Sequence, residues 1–281
     1  MSTNVLAPVI PAGARTTEGA RTTKVTQARV ALSEWTKLRS VRSTRYSLLV
    51  MVAFTIGIAA IATGVVSARW PHMSALDRAR FHPLEVTLAG VQLAQLAIGV
   101  LGVLAITAEY STGMIRASLT AVPKRLPVLW AKAGVFGVVA LVISVPTVLI
   151  AFFVGQSLLS SRHLELAFSA PGVARAVIGA GLYLTVIGLF AVGIGTIVRN
   201  TAGAISAFVG LLFVLPPLMN VLPSSWNNAV SPYLPSNAGQ AVMSIAHTAN
   251  TLAPWTGFAV FCAYAAVALA IGAFVLARRD A

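Results

Sequence analysis

Chemistry at a protein site needs side chains that move a proton, hold a metal or attack an electrophile, and this chain offers few of them. Its 281 residues include seven carboxylates, four histidines and one cysteine. His72, His82, His163 and His247 are scattered, no HExxH spacing occurs, and Cys262 stands alone in an apolar run. That pattern gives no metalloprotease signature, no intrachain disulfide and no cysteine-rich zinc site. GxSxG is missing, and Ser144 and Ser206 have no histidine within their own runs, so the local signature of serine catalysis is absent. GxxxxGK followed by Ser or Thr is missing too. The chain therefore has no P-loop of its own for nucleotide phosphates, and an ATP-driven step would need another polypeptide. What remains are polar groups in apolar surroundings. Gln92 and Gln95 are spaced to share a helix face, with Glu85 at the end of the same run, and Glu109 and Arg116 lie in the stretch between two apolar runs. Glutamines at membrane depth can line a substrate path. They can equally bond one helix to another, at about 0.6 to 2 kcal/mol.

The elements that must position these residues follow from composition. The chain is 57% hydrophobic and 10% charged, where a soluble globular domain carries about a quarter charged residues. A mean hydropathy of +0.85 is too high for one buried core inside a polar shell, so the bilayer is the expected solvent. Crossing it takes about 20 apolar residues, and six stretches qualify, at about 46–68, 86–107, 128–154, 173–198, 202–222 and 255–277. The net charge of +13 would suggest nucleic acid in a soluble chain. Here the basic residues lie at the N-terminus and between apolar runs, so the expected partner is lipid and not nucleic acid. With the N-terminus inside, every Lys and Arg falls on the cytoplasmic side except Arg69, Arg78, Arg80, Arg162 and Arg175. That matches the excess of positive charge found on cytoplasmic loops and returns the C-terminus to the cytoplasm. Gly179, Gly181, Gly188, Gly193 and Gly195 crowd the fourth stretch, where small residues let helices approach closely.

Between and before the spans, four segments have their own character. Residues 1–24 are too polar to offset their ordering entropy and read as a disordered cytoplasmic tail, with no apolar core of a signal peptide. Over 25–43 the apolar residues Ala28, Ala31, Leu32, Trp35, Leu38 and Val41 recur every three or four positions, with Arg29, Glu34, Lys37 and Arg39 largely between them. This predicts an amphipathic interfacial helix that leads into a six-span domain over 44–281. From Ala108 to Lys132 the chain is too long for a tight turn. Glu109, a helix-compatible run through Leu119, and Pro123 and Pro127 as terminators predict a short surface helix whose Met114, Ile115 and Leu119 form an apolar contact face. The last segment, after the fifth span, is uncharged and broken by Pro232 and Pro235, and Ala238 to Ala246 is predicted as a short helix near the outer leaflet. Pro216 and Pro217 should interrupt the fifth span.

Three of these segments together resemble a known family. Glu109, Tyr110, Gly113, Ile115, Arg116, Leu119, Pro123, Arg125 and Lys132 resemble the cytoplasmic loop of ABC-2-type transporter permeases of actinobacterial character. SEWTKLRSVRST from Ser33 to Thr44 and SPYLPSNAGQA from Ser231 to Ala241 look like two further signatures, in family order, and the resemblance runs from residue 29 to the C-terminus. It implies an all-α membrane protein of the type-2 ABC exporter fold, in a bacterial plasma membrane. Such a fold has six transmembrane helices, an N-terminal amphipathic elbow helix at about 28–42, a cytoplasmic coupling helix between spans two and three at about 109–120, and a short external helix before span six at about 236–248.

The function so implied is that of a transmembrane permease subunit of an ATP-driven exporter, paired with a second permease subunit, the same chain or a paralogue. A separate nucleotide-binding subunit would carry ATP and Mg, with no cofactor in this chain and no enzymatic activity of its own. The residues expected to couple to that ATPase are Glu109, Tyr110, Gly113, Met114, Ile115, Arg116 and Leu119. Those of the elbow helix are Glu34, Trp35, Lys37, Leu38 and Arg39, and Gln92 and Gln95 are placed on a translocation path. Two alternatives come from other classes. An autonomous ion-coupled secondary transporter would call for ionisable groups at membrane depth and often an inverted repeat, and neither is evident. A membrane-embedded enzyme would need a catalytic constellation, and the sequence shows no such pattern.

Overall fold

The structure is a computed structural model and describes residues 27–111, 125–245 and 250–278. The expected tail 1–24, the loop residues Gly113, Met114, Ile115, Arg116, Leu119 and Pro123, and positions 246–248 of the external segment lie outside the described residues. Among the described residues every regular element is helical. Helix α1 (Gln27–Ser40) ends at the extended residue Val41, and α2 (Arg42–Arg69) is the first long apolar helix. A short loop folds as α3 (Ala75–Ala79), capped by the Ser74 hydroxyl accepting from the Asp77 amide, and α4 (Pro83–Leu88) then leads into α5 (Val91–Ser111). Next come α6 (Arg125–Ser160), α7 (Val173–Val198) and α8 (Thr201–Val209). A π-helical turn over Gly210–Val214 joins α8 to α9 (Leu215–Met219). Helices α10 (Ser224–Val230) and α11 (Pro235–Gln240) and the final long helix α12 (Pro254–Arg278) complete the chain.

Among the described residues, six helical segments are long and apolar enough to cross a membrane: Arg42–His72, Pro83–Tyr110, Leu126–Ser160, Val173–Val198, Thr201–Met219 and Pro254–Arg278. Their surfaces are those of a protein solvated by lipid. Large apolar side chains such as Ile61, Val142, Phe153 and Phe274 are exposed on them, in numbers that water would penalise. Exposed Trp35, Tyr46 and Trp130 ring one end of the bundle, and exposed Trp226, Tyr233 and Trp255 belong to the other, as aromatic belts do at the two membrane interfaces. Six threonine hydroxyls within the spans are satisfied by their own helix. Thr55, Thr63, Thr107, Thr147, Thr185 and Thr196 each donate to the carbonyl four residues back, so that none of these six presents a bare donor to hydrocarbon.

Helix α7 is the axis of the bundle, because its small residues let the others close on it. In its most apolar window 78% is buried within the protein, against 17% for the span formed by α8 and α9. A Cβ on Gly181 would stand 2.7 Å from the Val145 Cα of α6, and one on Gly193 would stand 2.9 Å from the backbone of Ala268 in α12. Backbone-to-backbone approach of this kind is what drives helix association in lipid. The turn into α7 uses Gly172 at φ 82°, a conformation that costs glycine little.

Prolines at two places bear on the sequence expectation, one against it and one in its favour. Pro127 does not terminate a helix; it lies in the first turn of α6, where its missing N–H has no intrahelical acceptor to lose. Pro216 and Pro217 do interrupt the fifth span, but the irregularity lies just before them. The Leu215 amide donates to the Gly210 carbonyl, a wider turn that accommodates ring and missing donor and lets the helix resume.

Candidate functional site

Two polar networks stand out, one at each end of the bundle. The first begins on α1, whose apolar side chains Leu32 and Trp35 are exposed while Val30 and Glu34 are turned inward, Glu34 only 2% exposed. The amphipathic pattern is therefore arranged for lipid outside, with an acid beside an apolar contact of Val30 on Val128 and Ala131 inside. Glu34 Oε2 accepts from Lys132 Nζ at 2.6 Å and its Oε1 from Lys37 Nζ at 2.7 Å. The same two lysines converge on Glu109 Oε1, Lys132 at 2.9 Å and Lys37 at 3.0 Å. Two carboxylates and two ammonium groups thus alternate around a closed, electrically neutral quartet. The Lys132 side chain is 5% exposed and that of Lys37 is 32% exposed.

This geometry ties three elements together: α1, the last turn of α5 and the second turn of α6. A single buried charge would be prohibitively costly, and only mutual pairing lets four sit here. Burial works against the charge on Lys37, but hydrogen bonding and attraction to Glu34 and Glu109 outweigh it and hold the ammonium above its usual range. Glu109 Oε2 is buried and accepts no hydrogen bond among the described residues, and it stands just before the segment 112–124. Beside it, Arg199 lies over the Tyr110 ring at 5.4 Å and donates to the Val275 carbonyl at 3.0 Å. Arg199 takes a left-handed conformation, φ 59°, at the end of α7. Tyr110 packs on Leu129, Ala273 and Leu276, so α5, α6, α7 and α12 meet at this end.

The expected site residues therefore divide. Glu34, Lys37 and Glu109 come together, and Tyr110 joins the adjoining contact. Trp35 and Arg39 are exposed and Leu38 is partly buried on α1, outside the quartet. Gly113, Met114, Ile115, Arg116 and Leu119 lie outside the described residues.

The second network contains both expected glutamines. Tyr183 Oη donates to Gln95 Oε1 at 2.6 Å, Gln95 Nε2 to Gln92 Oε1 at 3.0 Å, and Gln92 Nε2 to Gln240 Oε1 at 3.0 Å. Gln240 Nε2 closes the circuit on Tyr183 Oη at 3.4 Å. Every link runs in one rotational sense, each group donating to the next and accepting from the one before. The ring clamps α11 to α5 and α7, and Tyr183 and Gln95 are almost wholly buried in it. Lys132, Tyr183 and Gln240 are the residues that spacing alone does not single out for these networks. The available signal is that each is a hydrogen-bonding side chain within or beside an apolar run.

No family model and no curated protein matches the sequence. Six apolar helices, in a fold whose described residues form helices alone, fit a membrane permease, and a multi-pass helical membrane protein is the class this fold defines.

Proposed function

We propose that the chain is the membrane-spanning permease subunit of an ATP-driven exporter of the ABC-2 type. It would work as a pair of permease subunits with a separate ATP-hydrolysing subunit docked at the end that carries the ion quartet. The observation that carries this reading is the quartet itself. Glu109 and Lys132 stand at the two roots of the segment 112–124, and both are bonded to Glu34 of α1 or to its neighbour Lys37. In the resembling family, this segment and the N-terminal helix are the parts that meet the ATPase. A push on either would be delivered to α5 and α6 together, because separating Glu34, Glu109 or Lys132 from the others strands a buried charge. The basic residues that gather at this end favour placing it in the cytoplasm. The position of the quartet also weighs against an ion-coupled carrier, since its ionisable groups are paired with each other at the end of the bundle and not poised at mid-depth.

The test is a pull-down of the tagged chain from gently solubilised membranes of its native host, with co-purifying chains identified and assayed for ATP hydrolysis. A stoichiometric ATPase is the expected result. A chain that purifies alone and without ATPase activity across several detergents overturns the reading. If an ATPase is found, Glu109→Ala combined with Ile115→Ala is expected to abolish transport while leaving membrane insertion intact.

A further inference from the structure

At the end of the bundle away from the ion quartet lies a cavity of about 600 Å³, with Glu85, Leu88, Gln92, Asn237, Gln240 and Met243 in its wall. Its floor is the amide ring. An amide nitrogen carries two hydrogens, and the ring uses one from Gln92 and one from Gln240. Each therefore keeps a second N–H for a carbonyl, ether or hydroxyl oxygen of a guest. Neither amide is free to swing, since buried Gln95 and Tyr183 hold them from behind. The order that binding usually has to impose is thus already present. Asn237 is fixed as well, its Nδ2 donating to the Ser231 carbonyl at 2.8 Å.

The charge of this wall is one-sided. Among the described residues that line the cavity, Glu85 alone is ionisable, and it is exposed on α4. Arg175 is tied to the Ser244 carbonyl at 2.9 Å and is not among the lining residues. Leu88 and Met243 supply apolar surface, the latter able to adapt to irregular shapes. An anion would meet a carboxylate with no cation among the described lining residues to balance it, and a small inorganic ion would leave the apolar wall unused.

We propose that this cavity is a binding site for amphipathic organic monocations that carry at least one hydrogen-bond acceptor, with Glu85 taking the charge and the Gln92 and Gln240 amides the acceptor. The site deepens the export reading by naming a class of cargo, and rests on that reading for the transport step alone. The experiment uses the full-length chain in lipid nanodiscs with rhodamine 6G as the probe, followed by fluorescence polarisation against empty nanodiscs. Saturable binding above the empty-disc signal is expected. Glu85→Gln, isosteric and on an exposed position, and Gln92→Leu should each weaken it about tenfold, and the anionic dye fluorescein should not compete. Absence of saturable binding, equal affinity in both variants, or equal competition by fluorescein overturns the site. No ATPase is present in this assay, so such a failure leaves the ATPase partnership to its own pull-down, and binding by a chain that has no ATPase partner upholds the site while the export reading falls.

Discussion

At one end of the bundle four full charges close on one another, and about 25 Å away along α5, at 1.5 Å per residue, three glutamines and a tyrosine close a ring with no formal charge. Both networks join elements far apart in sequence: Glu34, Glu109 and Lys132 at the first, Gln92, Tyr183 and Gln240 at the second. They differ in what it costs to open them. Removing any of its three buried ions, Glu34, Glu109 or Lys132, leaves a buried charge uncompensated, whereas Lys37 is partly open to solvent, so the buried three move together or hardly at all. The ring can lose a link for the modest worth of one neutral hydrogen bond in lipid. The quartet is therefore suited to transmit a displacement among α1, α5 and α6, while the clamp on α11 is the joint that parts more cheaply. That division suits a protein driven at one end and opened at the other.

The largest test of this contrast is Lys132→Met, which leaves Glu34 and Glu109 to share Lys37 alone, with one buried negative charge uncompensated, and is expected to cost about 3 to 5 kcal/mol, read as a lowered thermal unfolding midpoint of the purified protein. Adding Glu34→Gln leaves Lys37 facing Glu109 as a neutral pair. The double variant should recover most of that loss, and additive losses would show that the four do not act as a unit. The ring should yield less. Tyr183→Phe removes one donor and is expected to cost about 0.6 to 2 kcal/mol, and a loss as large as that of Lys132→Met would erase the distinction between the two ends. The smallest effect belongs to Lys37→Met, below about 1 kcal/mol, because that side chain is partly in contact with solvent. Its pH dependence has a definite sign. Lys37 is held above its ordinary value of 10.5, so its contribution is complete below that pH and disappears as the pH rises through its raised folded value. A melting series across that alkaline window should converge for wild type and Lys37→Met, and curves that stay parallel would remove the ionic account.

Much of the bundle is legible from residue types. A helix in lipid must satisfy its own backbone, so long apolar runs announce spans, and the crowding of glycine in α7 announces close packing that the structure shows at Gly181 and Gly193. The exact places where helices begin are less legible. Pro127 reads equally as an end or as a first turn, and only the chain geometry around it distinguishes them. The glutamine pair is visible in the sequence because three-residue spacing puts both side chains on one face of α5. The fourfold pairing at the other end is not, since α1 carries both a lipid-facing apolar stripe and a buried acid, and periodicity does not say which face turns toward the protein.

By itself, then, the order of residues determined the solvent, the six spans and the scarcity of catalytic or nucleotide-binding side chains, because these depend on local composition and on the length needed to cross a bilayer. Only the tertiary structure decided that Lys132 joins Glu34 to Glu109, and that Tyr183 and Gln240 complete a circuit with Gln92 and Gln95. Those are contacts between segments many turns apart, set by how six helices pack around the small residues of α7, and no local spacing encodes that packing.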